Sequence, residues 1–256
     1  LFHAGLEVNV PSLEREITTR AYELDSHGLI PPAVLLRYLE HTRWEAGYDR
    51  GSAMSGLFHG GSRMVVRGQR LSVARPLRRG EHLVISLWLE ELGRTSMTMG
   101  QRVVERATGE ELATSTVVGV SIDAAGRPVA LPDAVRALLA PTGRPHARIE
   151  VQDAPPGAFV TRTTVRPSDT DVLQHVNHAR YADWVEDARA LGIAAGALGA
   201  GVRWTPPTRL SIEYTRECLV GQPVELLAWD AGPGTVQLEG RVGDERALAF
   251  RAEVTA

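Results

Sequence analysis

Displaced by 146 positions, the chain matches itself. Residues 20–43 then lie on residues 166–189, with identities at Arg20/Arg166, Asp25/Asp171, Ala33/Ala179, Glu40/Glu186 and Arg43/Arg189. A second match, Arg70-Leu71-Ser72 on Arg209-Leu210-Ser211, falls at a displacement of 139. Such a repeat restricts the chain to two copies of one structural unit.

Each copy reads in the same order. An extended run opens it, at 13–22 and again at 159–166, where alternating Thr and Val favour a strand. A helix follows. In the first copy it starts near Pro32, because a proline at the first helical position loses no hydrogen bond. Leu35, Tyr38, Leu39, Thr42 and Ala46 share one face at helical spacing. Tyr181, Trp184, Val185, Ala188 and Leu191 form the matching face, and Gly47 and Gly192 fall near the helix ends. Strand-like runs come next, at 64–74, 82–91, 94–105 and 111–122, then at 203–214, 223–229, 235–242 and 247–254. A curled antiparallel sheet around one long helix would bury each apolar face. The expected class is therefore α+β, with a first domain over 1–148 and a second over 149–256. The segment 140–157, rich in Pro, Gly and charge, is the expected linker. A short helix over 133–139 precedes it.

Bulk properties narrow the function. A formal net charge of −3 offers no basic field for nucleic acid. No apolar run approaches the ~20 residues of a membrane span. A single cysteine, Cys218, rules out an intramolecular disulfide framework. The first residues lack the basic-then-apolar order of a signal peptide. These features set a cytoplasmic location as the expectation. His175 and His178 stand at i, i+3, but no further ligands have metal-site spacing, and no cofactor or metal is expected.

The chemistry concentrates in residues 166–189, RPSDTDVLQHVNHARYADWVEDAR. Asp171, His175 and Asn177 sit in a loop just ahead of the second helix. Asp171 is the candidate base or nucleophile. His175 is placed to orient a carbonyl or carboxylate. Asn177 is a preferred helix cap. The N–H groups of His178 and Ala179 open the helix, where backbone donors attract an anion. In the first copy Asp25 remains, but Leu29 and Pro31 stand where His175 and Asn177 would be. That copy has lost the constellation and reads as the structural half, expected to shape the pocket of the other. Glu40 and Glu186, present in both copies, read as architectural carboxylates bonded across the pseudo-dimer.

The pattern Asp-x-x-x-His-x-Asn-x-x-x-Tyr, followed by Glu-Asp-Ala-Arg, resembles the active-site segment of hot-dog fold thioesterases. With the duplication and residues 210–218, LSIEYTREC, nearly the whole chain resembles acyl-ACP thioesterases of the plant and bacterial Fat type. The resemblance implies a tandem hot-dog fold, hydrolysis of fatty acyl-ACP or acyl-CoA, and a catalytic network of Asp171, His175 and Glu217. It also aligns Cys218 with a cysteine once proposed as a nucleophile, although a lone cysteine is more often buried filler. An acyl tail between the two central helices, on a monomer or a homodimer, completes the expectation.

One position departs from the plant-type motif, which reads Asp-x-Asn-x-His-x-Asn. Leu173 replaces the middle Asn, and its side chain cannot hydrogen-bond. Simpler hot-dog acyl-CoA thioesterases carry Leu or Met there. Two alternatives stay open. One is a non-catalytic protein that binds acyl thioesters. The other is a hot-dog dehydratase or hydratase, whose His-x-x-x-Gly and Asp-x-Asn-x-x-His patterns find no match here.

Overall fold

The computed structural model describes residues 13–49, 63–138, 152–199 and 208–256. In the first repeat β1 (Leu13–Thr18) leads through a 3-10 turn to α1 (Pro32–Tyr48). Then come β2 (Arg63–Val73), β3 (His82–Leu92), β4 (Ser96–Glu105) and β5 (Glu111–Ile122). A single turn, α2 (Asp133–Arg136), closes the repeat and is shorter than expected. The second repeat runs β6 (Phe159–Thr164), a 3-10 turn, α3 (Arg180–Ala194), β7 (Thr208–Tyr214), β8 (Pro223–Gly232), β9 (Thr235–Val242) and β10 (Ala247–Thr255). The point where the two halves were expected to join, 148/149, lies outside the described residues.

All ten strands form one antiparallel sheet, ordered β1-β3-β4-β5-β2-β7-β10-β9-β8-β6. Read from either end, the order is the same. The halves meet where β2 pairs with β7, and Leu71 faces Leu210 there. This seam explains the second sequence match: Arg70-Leu71-Ser72 and Arg209-Leu210-Ser211 run antiparallel against each other across the pseudo-two-fold. Inward side chains from both repeats join one apolar cluster around α1 and α3. This is the tandem hot-dog architecture.

The helix faces follow the expected spacing except at one residue. Leu191 is 51% exposed, and Gly192 is buried in its place. The buried positions 181, 184, 185 and 188 continue at 192, as a 3.6-residue period requires. A Cβ at Gly192 would come within 2.6 Å of Leu198, so glycine lets the chain fold back closely there.

Candidate active site

The same loop precedes both helices. In the second repeat the Asp171 N–H donates to the His175 carbonyl at 3.1 Å, and the Gln174 N–H to the Asp171 carbonyl at 3.0 Å. In the first repeat the Asp25 N–H donates to Leu29 at 2.8 Å, and Gly28 to Asp25 at 3.0 Å. Each aspartate also accepts a backbone N–H two residues on, Leu173 at 2.8 Å and His27 at 2.8 Å. These are turns held by a carboxylate oxygen. Gly28 has φ 75° and its equivalent, Gln174, φ 65°. A non-glycine residue in this region is uncommon and costs backbone energy.

The Leu173 departure acquires a meaning here. Its side chain cannot replace an amide, but its backbone N–H holds Asp171 Oδ1. Asp169, not singled out from the sequence, ties the loop down. It is 3% exposed and accepts from Arg180 Nε at 2.8 Å and from the Arg166 N–H at 2.8 Å. Its carbonyl accepts the Asn177 N–H at 2.9 Å.

Asp171, Leu173, His175 and His178 line a cavity of about 780 Å³, and Glu217 lies on its wall. His175 Nδ1 stands 3.9 Å from Asp171 Oδ1. Glu217 is exposed and, among the described residues, hydrogen-bonds neither Asp171 nor His175. Much of the apolar wall comes from the first repeat, Met64 and Val66 of β2, Met97 and Met99 of β4, Val117 and Ile122 of β5, and Leu173, Val176 and Ile212 of the second repeat complete it. The cavity runs along the sheet on both sides of the β2–β7 seam, and Glu40, Arg43 and Trp44 of α1 and Tyr181 of α3 also line it. A shallower groove of about 410 Å³ adjoins it, and Glu40, Trp44 and Asp171 border both.

Asn177 caps the loop ahead of the helix and not its first turn: its Oδ1 accepts at 2.9 Å the N–H of Ala179, the residue that precedes Arg180. Ala179 therefore is not a free donor, contrary to expectation. Its cap competes for the proton that an oxyanion would need. The His178 N–H has no protein acceptor among the described residues. Cys218 is buried outside the cavity wall. Burial pushes its thiol pKa up, a bond from Tyr181 opposes this, and the nearby Glu217 charge adds to it. A thiol in that state is a poor nucleophile.

The carboxylate that the sequence left among architectural groups is at the centre of the site. Glu40 accepts Asn177 Nδ2 at 2.9 and 3.0 Å and Trp44 Nε1 at 3.2 Å, and its Oε1 lies 3.5 Å from His178 Nδ1. The expected bonding across the pseudo-dimer thus holds for Glu40. Glu186 instead accepts from Arg189 in its own helix at 2.8 Å. Arg43 is buried, donates to Gln101 Oε1 at 2.7 Å and lies 2.7 Å from His178 Nε2. Burial pulls its pKa down to about 10, with Glu40 opposing. Burial, then Arg43 and His175, hold His178 well below the ordinary 6.5. The signal that could have found Glu40 was the repeat itself, which places α1 against the loop of the other copy. Arg75, in the basic cluster 75–79, pairs with Glu81 and Glu110 away from this site.

Comparison with known proteins accords with the geometry. A thioesterase-like superfamily model matches residues 19–139, and an acyl-ACP thioesterase C-terminal domain model matches residues 154–242. A chloroplastic palmitoyl-acyl carrier protein thioesterase of Gossypium hirsutum is 23% identical over 223 residues, which are 80% of this chain. The chain spans 51% of that relative's length and 34% of a namesake from Arabidopsis thaliana. An acyl-ACP thioesterase structure from Bacteroides thetaiotaomicron superposes with TM-score 0.77 at 16% identity, covering 95% of this chain and 97% of that one. The 12:0-ACP thioesterase of Umbellularia californica gives TM-score 0.74 at 20% identity, covering 98% of each chain. One model matches in each half and the whole fold is shared with these structures, so the chain is a double hot-dog protein that is similar in both halves to thioesterases.

Proposed function

We propose that this protein hydrolyses fatty acyl thioesters, acyl-ACP or acyl-CoA, to a free fatty acid and the carrier thiol. One observation carries the reading. A deep apolar cavity ends at a loop that holds a carboxylate, an imidazole and a free backbone N–H. The acyl chain lies along the first-repeat sheet. The carrier's pantetheine arm follows the adjoining groove. The thioester then sits at the wall common to both, beside Asp171.

Asp171 either takes a proton from water as the water oxygen attacks the carbonyl carbon, or attacks that carbon itself. In the first case a tetrahedral oxyanion forms, the C–S bond breaks, and the thiolate leaves to gain a proton. In the second an acyl-carboxylate anhydride forms with loss of the thiolate, and water then hydrolyses it. The His178 N–H donates to the oxyanion. His175 orients the carboxylate and the carbonyl, and Glu217 acts from the rim, reached through solvent or substrate. Asn177 holds the segment that carries this donor. No cofactor is required. No helix among the described residues is long and apolar enough to cross a membrane, and a cytoplasmic location belongs to the proposal. So does a monomer, since the fused repeats pair with each other, with a homodimer as the alternative. The domain division near 148/149 is likewise proposed from the repeated element order.

A second reading has one observation in its favour. Asp25 makes the same turn in the repeat that has Leu29 in the place of His175, so the aspartate has a structural duty in both copies. If that were its whole duty, the protein would bind acyl thioesters without cleaving them. Thiol release from acyl-ACP and acyl-CoA separates the two: release supports hydrolysis, and binding without release supports the second reading.

A further inference from the structure

Glu40 and Arg43 of α1 are the equivalents of Glu186 and Arg189 of α3. In α3 the pair is closed by the 2.8 Å bond between them. In α1 the pair is open, and the His178 ring of the other repeat stands between its members. Arg43 Nη2 lies 2.7 Å from His178 Nε2, and Glu40 Oε1 lies 3.5 Å from His178 Nδ1. A guanidinium has donors only. His178 Nε2 must therefore accept, and the proton of the neutral ring resides on Nδ1, facing the Glu40 carboxylate.

The remaining groups around the ring agree with this assignment. Tyr214 of β7 donates its hydroxyl to the His178 carbonyl at 3.0 Å and sets its ring edge-on, 6.5 Å away. His175 approaches from the same loop. Burial, Arg43 and His175 all disfavour a second proton on the ring. Glu40 also holds Asn177 Nδ2, and Asn177 in turn holds the Ala179 N–H. One carboxylate thus fixes both residues that flank the His178 backbone N–H and its ring.

We propose that the first repeat completes the site of the second: Glu40 is a positioning residue that, with Arg43, locks His178 as its Nδ1–H tautomer and aims the His178 backbone N–H. This deepens, and rests on, the reading of the site as a thioester hydrolase. It assigns a duty to the repeat that lost its own loop chemistry, and it explains why the pair is open only in α1.

Two measurements on the full chain test it. The first is the ¹⁵N NMR spectrum of the imidazoles, with His178→Asn identifying the His178 signals. An unprotonated Nε2 and protonated Nδ1, unchanged over about pH 5.5 to 8, are expected. In Arg43→Met the tautomers are expected to mix. A protonated Nε2 in the wild type would overturn the proposal. The second is kinetics. Glu40→Gln should lower kcat by about tenfold or more with KM within about threefold, whereas Glu186→Gln, at the equivalent place, should leave kcat within about twofold. A Glu40→Gln enzyme with wild-type kcat, or an equal loss in both variants, would overturn it. Should the wild type release no thiol from any thioester, the hydrolase reading fails, and the NMR result alone decides whether the clamp exists.

Discussion

Leu71 of β2 and Leu210 of β7 face each other across the line where the two repeats join into one sheet. Each is 1% exposed, and each is the other's equivalent in the repeat. Both belong to the apolar cluster shared by α1 and α3, so the seam couples the halves. Leu71→Ala and Leu210→Ala should each destabilise the protein by about 2–5 kcal/mol. The double variant should depart from additivity, because the residues touch. Urea unfolding should show one transition for the whole chain. Two separate transitions, with the variants affecting only one, would mean that the repeats fold independently.

The largely covered His178 ring makes stability depend on pH. Its folded pKa is held below 6.5 by burial and then by Arg43 and His175. As pH falls, the unfolded chain therefore binds this proton first. The contribution is present in full above about pH 6.5 and is lost as pH falls toward the folded value. Melting temperatures at pH 7.5 and 5.5 should differ less in His178→Asn than in the wild type. An identical difference in both would show that His178 is not the group responsible.

Cys218 should be dispensable for turnover. Its thiol is buried, away from the cavity wall, with a raised pKa. Cys218→Ala should keep kcat within about twofold and cost about 1 kcal/mol of stability or somewhat more through the small cavity it leaves. The folded wild type should react slowly with a thiol reagent. Loss of turnover in a well-folded Cys218→Ala protein would restore the cysteine as a nucleophile.

Gly119 of β5 gauges the depth of the cavity. A Cβ there would lie 2.7 Å from Met64 Sδ and 3.8 Å from Met97 Cε, both on side chains that line the apolar wall. Gly119→Val should push Met64 into the cavity. Competition assays should then show activity on long acyl chains falling by about tenfold relative to short ones. An unchanged chain-length profile would place the acyl tail elsewhere.

Element order was legible because periodicity is local. The alternation at 159–164 and the buried faces of α1 and α3 depend on residues a few positions apart, and they follow the expected spacing except at Leu191. The loop was legible for the same reason: Asp171, His175 and Asn177 lie within one turn of chain. Glu40 was not, because its bond to Asn177 joins residues 137 positions apart. Its presence in both copies argues for architecture, and the open Glu40–Arg43 pair sets it apart from the closed Glu186–Arg189 pair. Leu173 was misleading in a different way. Its side chain differs from an amide, yet the bond to Asp171 comes from the backbone, which every residue except proline supplies. Ala179 failed as a donor because Asn177 had two candidate N–H groups to cap, and the choice between them depends on loop geometry.

Asp171 carries the central claim, and asparagine is the informative replacement. An Asn side-chain oxygen still accepts the Leu173 N–H, so the turn survives while the carboxylate is lost. The decisive measurement is thiol release by the wild type and by Asp171→Asn, across acyl-ACP and acyl-CoA thioesters of increasing chain length, with melting temperatures taken alongside. The expected result is release by the wild type and a loss of about 10²-fold or more in the variant at unchanged melting temperature. Equal release by both proteins would contradict the account.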